Sequence, residues 1–263
     1  MYSYIKYEEK DYVGTITLNK LESYNAISDD IRNELRQVID EINESDVRVV
    51  VITGHEKIFS AGGDVKVMKR NFEINPPYEE RLETYRKDVA DMVLKINSVR
   101  QPLIAVLNGP AYGAGVSLAA LCDIRIARKG IKLGIPFSKR GLIPDWGSTH
   151  TLPQIIGISK TLLLAYTGDT ISSEKAYEIG LVDLLIDENV FEKEVNELIK
   201  KIAKNSPVAL QAAKAQIKET YYLGLEETLE REAVAQANCY VSDEHREGVS
   251  SFLEKREANF KGK

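Results

Sequence analysis

The sequence has little of what metal sites, disulfides and membrane spans require. Its 263 residues include two cysteines, Cys122 and Cys239, and three histidines, without a C-x-x-C pattern or a short ligand spacing. We therefore predict two free thiols, a reducing cytoplasmic location and no metal site. No apolar run approaches the roughly eighteen residues of a membrane-spanning helix, so no membrane partner is expected. The first twelve residues also lack the apolar stretch of an export signal.

The balance of charge excludes a further class of partner. The 35 basic and 40 acidic residues leave a formal net charge of −5 at neutral pH, and no basic run is long enough to reverse it. Nucleic acid is therefore not an expected partner. Hydrophobic residues at 43% and charged residues at 29% are typical of a globular protein. At this length we predict one α/β domain with an appendage.

Strand and helix signals alternate along most of the chain, which favours a largely parallel sheet with helical crossovers. Helical spacing predicts a helix that begins after Ser28, as its N-cap, and a long helix over residues 82–96. Alternating or continuous apolar residues predict strands over residues 12–18, 47–53, 103–107, 123–127, 131–133 and 182–186. The strands over residues 123–127 and 131–133 are suggested as a pair.

Strand signals stop after residue 186, and the remainder of the chain is predicted to be helical. Ser206 and Pro207 form a typical helix start, with proline at the first helical position. We therefore predict an α/β core over residues 1–200 and a helical C-terminal region over residues 201–263. Apolar residues such as Leu225 and Leu229 are not expected to be buried by so small an appendage, which makes it a predicted oligomerisation region.

Two strand-to-helix junctions are rich in glycine, residues 59–64 and residues 108–115. Helix N-termini leave backbone N–H groups unpaired, and small residues let a ligand oxygen approach those groups. Two such junctions close together would form an oxyanion hole, which stabilises a carbonyl oxygen that gains negative charge. The alternative is that each cluster only allows a tight turn and close helix packing.

The same segments resemble the crotonase (enoyl-CoA hydratase/isomerase) family. Residues 59–65 are similar to its F-x-A-G-x-D-[ILV] segment and residues 108–124 to its N-G-x-A-x-G-x-G…C-D segment. Further blocks match in the family's order at residues 142–149, 167–182 and 247–256. The resemblance implies an α/β fold with a crotonase-like ββα spiral core and a helical C-terminal extension. It also implies an acyl-CoA substrate, with coenzyme A as the carrier and no other cofactor, and assembly into homotrimers or homohexamers.

The resemblance implies particular site residues as well. The backbone N–H groups of Gly63 and Ala114 correspond to the family's oxyanion hole. The positions that correspond to coenzyme A contacts are Ser23, Tyr24, Ala61, Asp64, Val65, Phe252 and Lys255. The last two lie on the terminal helix, which in this family is often contributed by a neighbouring subunit near the 3′-phosphate. For Lys255 a solvated surface lysine is the alternative.

Departures from the family pattern bear on the reaction. The family's hydratases use two glutamates to add water, and the corresponding positions here hold Ser117 and Phe137, neither of which can act as a carboxylate. Asp145 instead matches an aspartate of the family's dienoyl-CoA isomerases and of epoxyphenylacetyl-CoA isomerase. This implies an isomerase that shifts a double bond through an enolate, with Asp145 as the proton shuttle. The alternative for Asp145 is an N-cap of the helix that follows.

Other functions remain open at this point. The protein could be an enoyl-CoA hydratase of fatty-acid degradation or a catalytically silent acyl-CoA-binding protein. Residues 115–119 are close to the G-x-S-x-G nucleophile elbow of serine hydrolases, with Ser117 as the nucleophile. Residues 113–115 resemble part of a dinucleotide-binding fingerprint, although Leu118 replaces its third glycine. Tyr85 is predicted to be a core residue of the long helix.

Overall fold

The computed structural model describes residues 2–55 and 58–262. The strands among these residues are β1 (Ile5–Lys10), β2 (Val13–Leu18), β3 (Val49–Gly54), β4 (Leu103–Leu107), β5 (Ala111–Tyr112), β6 (Ile124–Arg128), β7 (Lys132–Gly134), β8 (Thr170–Ser172) and β9 (Leu184–Ile186). The α-helices are α1 (Asp29–Glu44), α2 (Val65–Ile74), α3 (Tyr78–Thr84), α4 (Asp91–Asn97), α5 (Ala114–Leu121), α6 (Ser148–Ile156), α7 (Ile158–Thr167), α8 (Ser173–Glu178), α9 (Phe191–Ala203), α10 (Pro207–Glu219), α11 (Leu225–Val241) and α12 (Asp243–Glu254). Every predicted strand is present, with ends that differ by a few residues.

Two sheets organise the core. The larger has the strand order β1-β2-β3-β4-β6-β9, with β1 and β2 antiparallel and every later pairing parallel. The smaller has the order β5-β7-β8. The suggestion that β6 and β7 form a pair is therefore wrong, because β6 lies between β4 and β9 while β7 joins β5 and β8. The residues between β6 and β7 carry the chain from one sheet to the other.

The larger sheet is covered on both faces, as the continuous apolar run of β3 predicts. Val50 and Ile52 point into the main core, whereas Val49 and Val51 contact the second apolar cluster beneath α9. The residues of α9 that face this cluster repeat every four positions and are all buried: Phe191, Val195, Ile199 and Ala203. The helix thus covers the sheet with one apolar stripe.

Helix α1 follows its predicted pattern, with one exception at its start. Ile31, Leu35 and Ile42 are buried on the face that packs against the sheet. Ser28 is the N-cap residue and is extended, but its hydroxyl makes no capping bond to the helix backbone. That hydroxyl instead accepts a hydrogen bond from Lys20 Nζ at 3.1 Å. The predicted start of α1 after Ser28 is therefore correct, although the Ser28 side chain does not cap the helix.

The predicted long helix over residues 82–96 is interrupted. A π-helical turn at Tyr85–Ala90 joins α3 to α4. Met92 and Ile96 are buried beyond the turn as predicted, but Tyr85 is 43% exposed. The prediction that Tyr85 is a core residue is therefore wrong: it begins the wider turn and remains partly exposed. Such π-turns occur frequently at functional sites.

The last three helices extend beyond the two sheets. Ser206 caps α10 through its hydroxyl, and Pro207 occupies the first turn, as predicted. Lys214 and Lys218 tie α10 to the core through the Asp123 carboxylate, at 2.8 and 2.9 Å. No helix within the described part of the chain is long and apolar enough to cross a membrane.

Candidate active site

A cavity of about 860 Å³ opens beside the N-terminus of α5. The segment after β3, helix α2, the π-helical turn and the loop before α6 each contribute to its wall. The residues that the later argument uses are Arg32, Gly63, Tyr85, Ala114, Phe137, Asp145 and Trp146. Apolar side chains such as Met68, Val89 and Phe137 form part of its lining, so an apolar group of a ligand bound there would be removed from water.

The two glycine-rich junctions converge at this cavity. Ser60 and Ala111 form an isolated parallel bridge, and the Tyr112 N–H donates to the Ser60 carbonyl at 2.9 Å. Gly62 has φ of +90°, and a Cβ on it would lie 2.4 Å from the Tyr112 carbonyl oxygen. Because only glycine permits this approach, the two segments run side by side into the cavity.

The convergence places two backbone N–H groups on one wall of the cavity. Gly63 and Ala114 both line it, and Ala114 is the first residue of α5. Among the described residues, no main-chain carbonyl accepts a hydrogen bond from either N–H. Gly113, directly before Ala114, has φ of +50°, which sets the direction in which the start of α5 points. This is the donor arrangement that an oxyanion hole requires.

Asp145 lies in the same cavity, and its carboxylate does not cap a helix. The N-cap residue of α6 is Gly147, without a side-chain capping bond. Ser148 instead donates to the main-chain carbonyl of Asp145, from its N–H at 3.0 Å and from its hydroxyl at 2.6 Å. The carboxylate oxygen Oδ1 of Asp145 is buried and has no hydrogen-bond partner among the described residues. The capping alternative therefore does not describe this side chain.

Burial changes the acidity of Asp145. Loss of water around the carboxyl raises its pKa from 3.8 to about 6, against smaller lowering effects from its own backbone N–H and from the Arg32 charge. A carboxylate with a pKa in this range is a stronger base than an ordinary aspartate and is still ionised at neutral pH. Strongly perturbed carboxyl groups in clefts are candidates for proton transfer.

Two aromatic residues, Tyr85 and Trp146, line the cavity together with Asp145. Trp146 is buried and has φ of +55°, an uncommon backbone conformation for a bulky residue. Burial, together with the nearby Asp145 charge, raises the pKa of the Tyr85 phenol, against a smaller lowering effect from the Trp146 backbone N–H. Tyr85 is therefore neutral and faces the cavity. Trp146 lines the cavity and also packs into the main core.

The two positions where family hydratases carry glutamates do not supply a carboxylate here. Ser117 is fully buried within α5, and its hydroxyl donates to the Gly113 carbonyl at 3.3 Å. Phe137 is also buried, and its ring lies 3.7 Å from where a Cβ on Gly113 would be. The burial of Ser117 inside a helix, rather than at an exposed turn, also argues against the serine-hydrolase interpretation.

The residues predicted to contact coenzyme A fall into three groups. Ala61, Asp64 and Val65 line the cavity. Asp64 is also the N-cap of α2, accepting from the Lys66 N–H at 2.8 Å. The other two groups lie outside the cavity wall.

Ser23 and Tyr24 form the second group. They belong to a 3₁₀ turn beside the cavity, and the Tyr24 carbonyl accepts from the Ala61 N–H at 2.9 Å. Tyr24 thus supports the backbone of the wall, while its ring is exposed to solvent.

Phe252 and Lys255 form the third group and lie at the end of α12. Phe252 is 82% exposed and borders a separate hollow of about 930 Å³ between α10, α11 and α12. Lys255 is the C-cap residue of α12, with φ of +56°. Neither residue lines the cavity of its own chain. Within one chain the structure therefore does not bring these two together with the other predicted residues.

Sequence reasoning missed Arg32. This residue lies next to the buried Ile31 on α1, lines the cavity and acts electrostatically on Asp145. Its neighbour Asp29, one helical turn earlier, forms an ion pair with it. An arginine in the first turns of an amphipathic helix is usually a solvated residue, so the pattern alone gave no signal.

Comparison with known proteins agrees with the fold. The sequence model of the family described as enoyl-CoA hydratase/isomerase matches residues 8–263. A probable mitochondrial enoyl-CoA hydratase of Dictyostelium discoideum is 34% identical over 250 residues, covering 95% of this chain and 87% of the relative. The 1,2-epoxyphenylacetyl-CoA isomerase of Escherichia coli K12 is 32% identical over 252 residues, covering 95% of each chain.

Solved structures lead to the same result. The crystal structure of an enoyl-CoA hydratase from Bacillus anthracis superposes with a TM-score of 0.91 at 32% identity, covering 99% of this chain and 100% of that one. A structure described as an enoyl-CoA hydratase/isomerase from Mycobacterium abscessus gives 0.92 at 29% identity, covering 98% and 100%. These relatives include hydratases and an isomerase. The predicted fold and family are confirmed: the chain belongs to the enoyl-CoA hydratase/isomerase family and has the crotonase fold.

Proposed function

We propose that this protein is an enoyl-CoA isomerase that shifts a double bond along the acyl chain, with Asp145 as the proton shuttle. One observation carries the proposal: a buried carboxylate with a pKa of about 6 shares a cavity with the N–H groups of Gly63 and Ala114. A base and an oxyanion hole facing the same space are what proton abstraction next to a thioester needs.

The proposed reaction uses each of these groups once. Asp145 removes a proton from the carbon next to the thioester carbonyl, and the electron pair moves onto the carbonyl oxygen. The Gly63 and Ala114 N–H groups stabilise that oxyanion, each donor contributing on the order of 10²–10³ in rate. Asp145 then returns the proton at the γ carbon, and the double bond moves by one position. No atom is gained or lost.

The side chains at the two hydratase positions favour isomerisation over hydration. Addition of water to a double bond needs a group that activates the water and one that protonates the α carbon. Ser117 is occupied with a main-chain carbonyl and Phe137 is apolar. A hydratase of fatty-acid degradation is the second candidate, since several relatives are named enoyl-CoA hydratases. A silent acyl-CoA-binding protein is the third, because loss of both glutamates would be tolerated there.

Coenzyme A is expected to lie along Ala61, Asp64 and Val65, with the thioester at the oxyanion hole. Phe252 and Lys255 would complete this site only from a neighbouring copy of the chain. The apolar residues exposed on the last three helices support such an assembly: Ile217, Leu225, Leu229, Val234, Val241, Phe252 and Leu253. We therefore propose residues 201–263 as the oligomerisation region of a homotrimer or homohexamer.

The test is the pair of variants Asp145→Asn and Asp88→Asn, assayed for conversion of 3-enoyl-CoA to 2-enoyl-CoA. Asp88 also lines the cavity, so its variant removes the same charge without the proposed base. We expect Asp145→Asn to lower turnover by roughly 10²–10⁴-fold with acyl-CoA affinity unchanged, and Asp88→Asn to have little effect. Equal turnover in the two variants would show that the base lies elsewhere.

A further inference from the structure

The Arg32 side chain is largely buried and only partly paired with an opposite charge. Its side chain is 12% exposed, and one terminal nitrogen pairs with Asp29, which is itself largely exposed. The Nε of Arg32 is buried and has no hydrogen-bond partner among the described residues. Burying a guanidinium group with a donor unused is unfavourable unless its charge acts on something nearby.

The nearby group is Asp145. Both side chains line the same cavity, and both have one buried polar atom without a hydrogen-bond partner among the described residues. The Arg32 charge lowers the pKa of the Asp145 carboxyl, which opposes the raising effect of burial. Arg32 approaches from α1, and Asp145 lies on the loop that precedes α6.

Other polar groups face this part of the cavity. The π-helical turn contributes Tyr85 and Asp88, and the 3₁₀ turn at Ser138–Arg140 contributes Arg140. Tyr85 is a neutral phenol, and Arg140 donates to the Pro136 carbonyl at 3.2 Å. The lining segments of α2 and α3 add Arg70, Glu80 and Arg81, whose side chains are solvent-exposed. Among these cations, Arg32 is the one whose charge lowers the pKa of the Asp145 carboxyl.

We propose that Arg32 is a positioning residue that keeps the Asp145 carboxylate ionised in its desolvated recess, and that Asp29 moderates the strength of this effect. The inference rests on the proposed function, because an Asp145 base must be ionised before it can accept a proton. Without a counter-charge, burial would protonate the base near neutral pH. With an unmoderated counter-charge, the carboxylate would become too weak a base.

The arrangement makes opposite predictions for two neighbouring residues. Arg32→Met removes the counter-charge and should raise the midpoint of the Asp145 titration by roughly 0.5–1 in pH, less than for an unshared adjacent charge. Asp29→Asn frees the Arg32 charge and should lower the midpoint. Arg32→Lys retains the charge and should restore most of the wild-type value. Arg140→Met removes a cation from the same cavity and should leave the midpoint unmoved.

The measurement is an infrared titration of the intact protein with ¹³C-labelled aspartate, and Asp145→Asn identifies the band. A purely structural role for Arg32 would change stability in both variants but would not move the midpoint in opposite directions. Unchanged midpoints, or shifts of the same sign in Arg32→Met and Asp29→Asn, would overturn the inference. If Arg32→Met fails to fold, the downward shift in Asp29→Asn still decides the outcome.

The acidic limb of the isomerisation pH profile separates this inference from the proposed function. The limb should move with the infrared midpoint, upward in Arg32→Met and downward in Asp29→Asn. Opposite midpoint shifts without any isomerisation would leave the Arg32 inference standing and remove the proposed reaction. Isomerisation whose acidic limb is unmoved in both variants would support the proposed reaction and overturn the Arg32 inference.

Discussion

Replacement of Asp145 by asparagine should make the protein more stable at neutral pH, because burial disfavours the ionised form of the wild-type carboxyl group. Burial raises the pKa of this carboxyl from 3.8 in an exposed aspartate to about 6. At about 1.36 kcal/mol per pH unit, ionisation in the folded protein is disfavoured by at most about 3 kcal/mol. A catalytic base held in this way reduces stability in exchange for reactivity.

The sign of the effect defines a pH window. The folded protein holds the Asp145 proton more tightly than the unfolded chain does. The stability contributed by protonated Asp145 is therefore fully present below pH 3.8 and is lost as the pH rises through about 6. Asp145→Asn does not titrate, so its unfolding free energy relative to wild type should increase across this window and remain constant above it.

The assay is urea unfolding of wild type, Asp145→Asn and Asp88→Asn from pH 4.5 to 8, at one fixed protein concentration because assembly contributes to stability. We expect the difference between Asp145→Asn and wild type to grow by about 1–3 kcal/mol over this range. The Asp88→Asn variant should show no comparable change. If Asp145→Asn is instead less stable than wild type at pH 8, the carboxylate is favourably paired in the folded protein and the reasoning fails.

Three further outcomes are expected. Crotonyl-CoA hydration should be slow, since Ser117 and Phe137 replace two acid/base groups that each contribute roughly 10²–10⁴-fold; a rate comparable to efficient hydratases would contradict this. Light scattering at micromolar concentration should give a trimer or hexamer, because Leu225 and Leu229 are exposed in one chain, and a monomer would count against the assembly. Lys255→Ala should weaken acyl-CoA binding, with a loss that fades in high salt as for a phosphate contact; unchanged affinity at low salt would make Lys255 a solvated surface residue.

The sequence was sufficient to predict the parts of the fold that depend on local patterns. Continuous apolar runs located β3 and β4, and the glycine-rich junctions located the wall of the cavity. Gly62 shows why the glycine-rich junctions could be located from the sequence: its close approach to Tyr112 is impossible for any residue with a Cβ. The family resemblance then supplied the order of the elements, which local patterns cannot give.

The misses arise where tertiary structure decides the outcome. The 3.6-residue period that assigned Tyr85 to the core cannot reveal that this residue begins a π-helical turn and lines a cavity. Arg32 enters the site because α1 and the loop before α6 line the same cavity, which brings together residues more than one hundred positions apart. Phe252 and Lys255 lie away from the cavity of their own chain, so their predicted contacts depend on a second copy.

The central claim is tested most directly by comparing two rates of the purified wild-type protein in D₂O. One is the conversion of 3-enoyl-CoA thioesters, straight-chain and ring-bearing, to their 2-enoyl isomers, and the other is the hydration of crotonyl-CoA. We predict that isomerisation of at least one thioester is the faster reaction by orders of magnitude and depends on Asp145. Efficient hydration of crotonyl-CoA, or no turnover of any thioester despite tight acyl-CoA binding, would contradict the account.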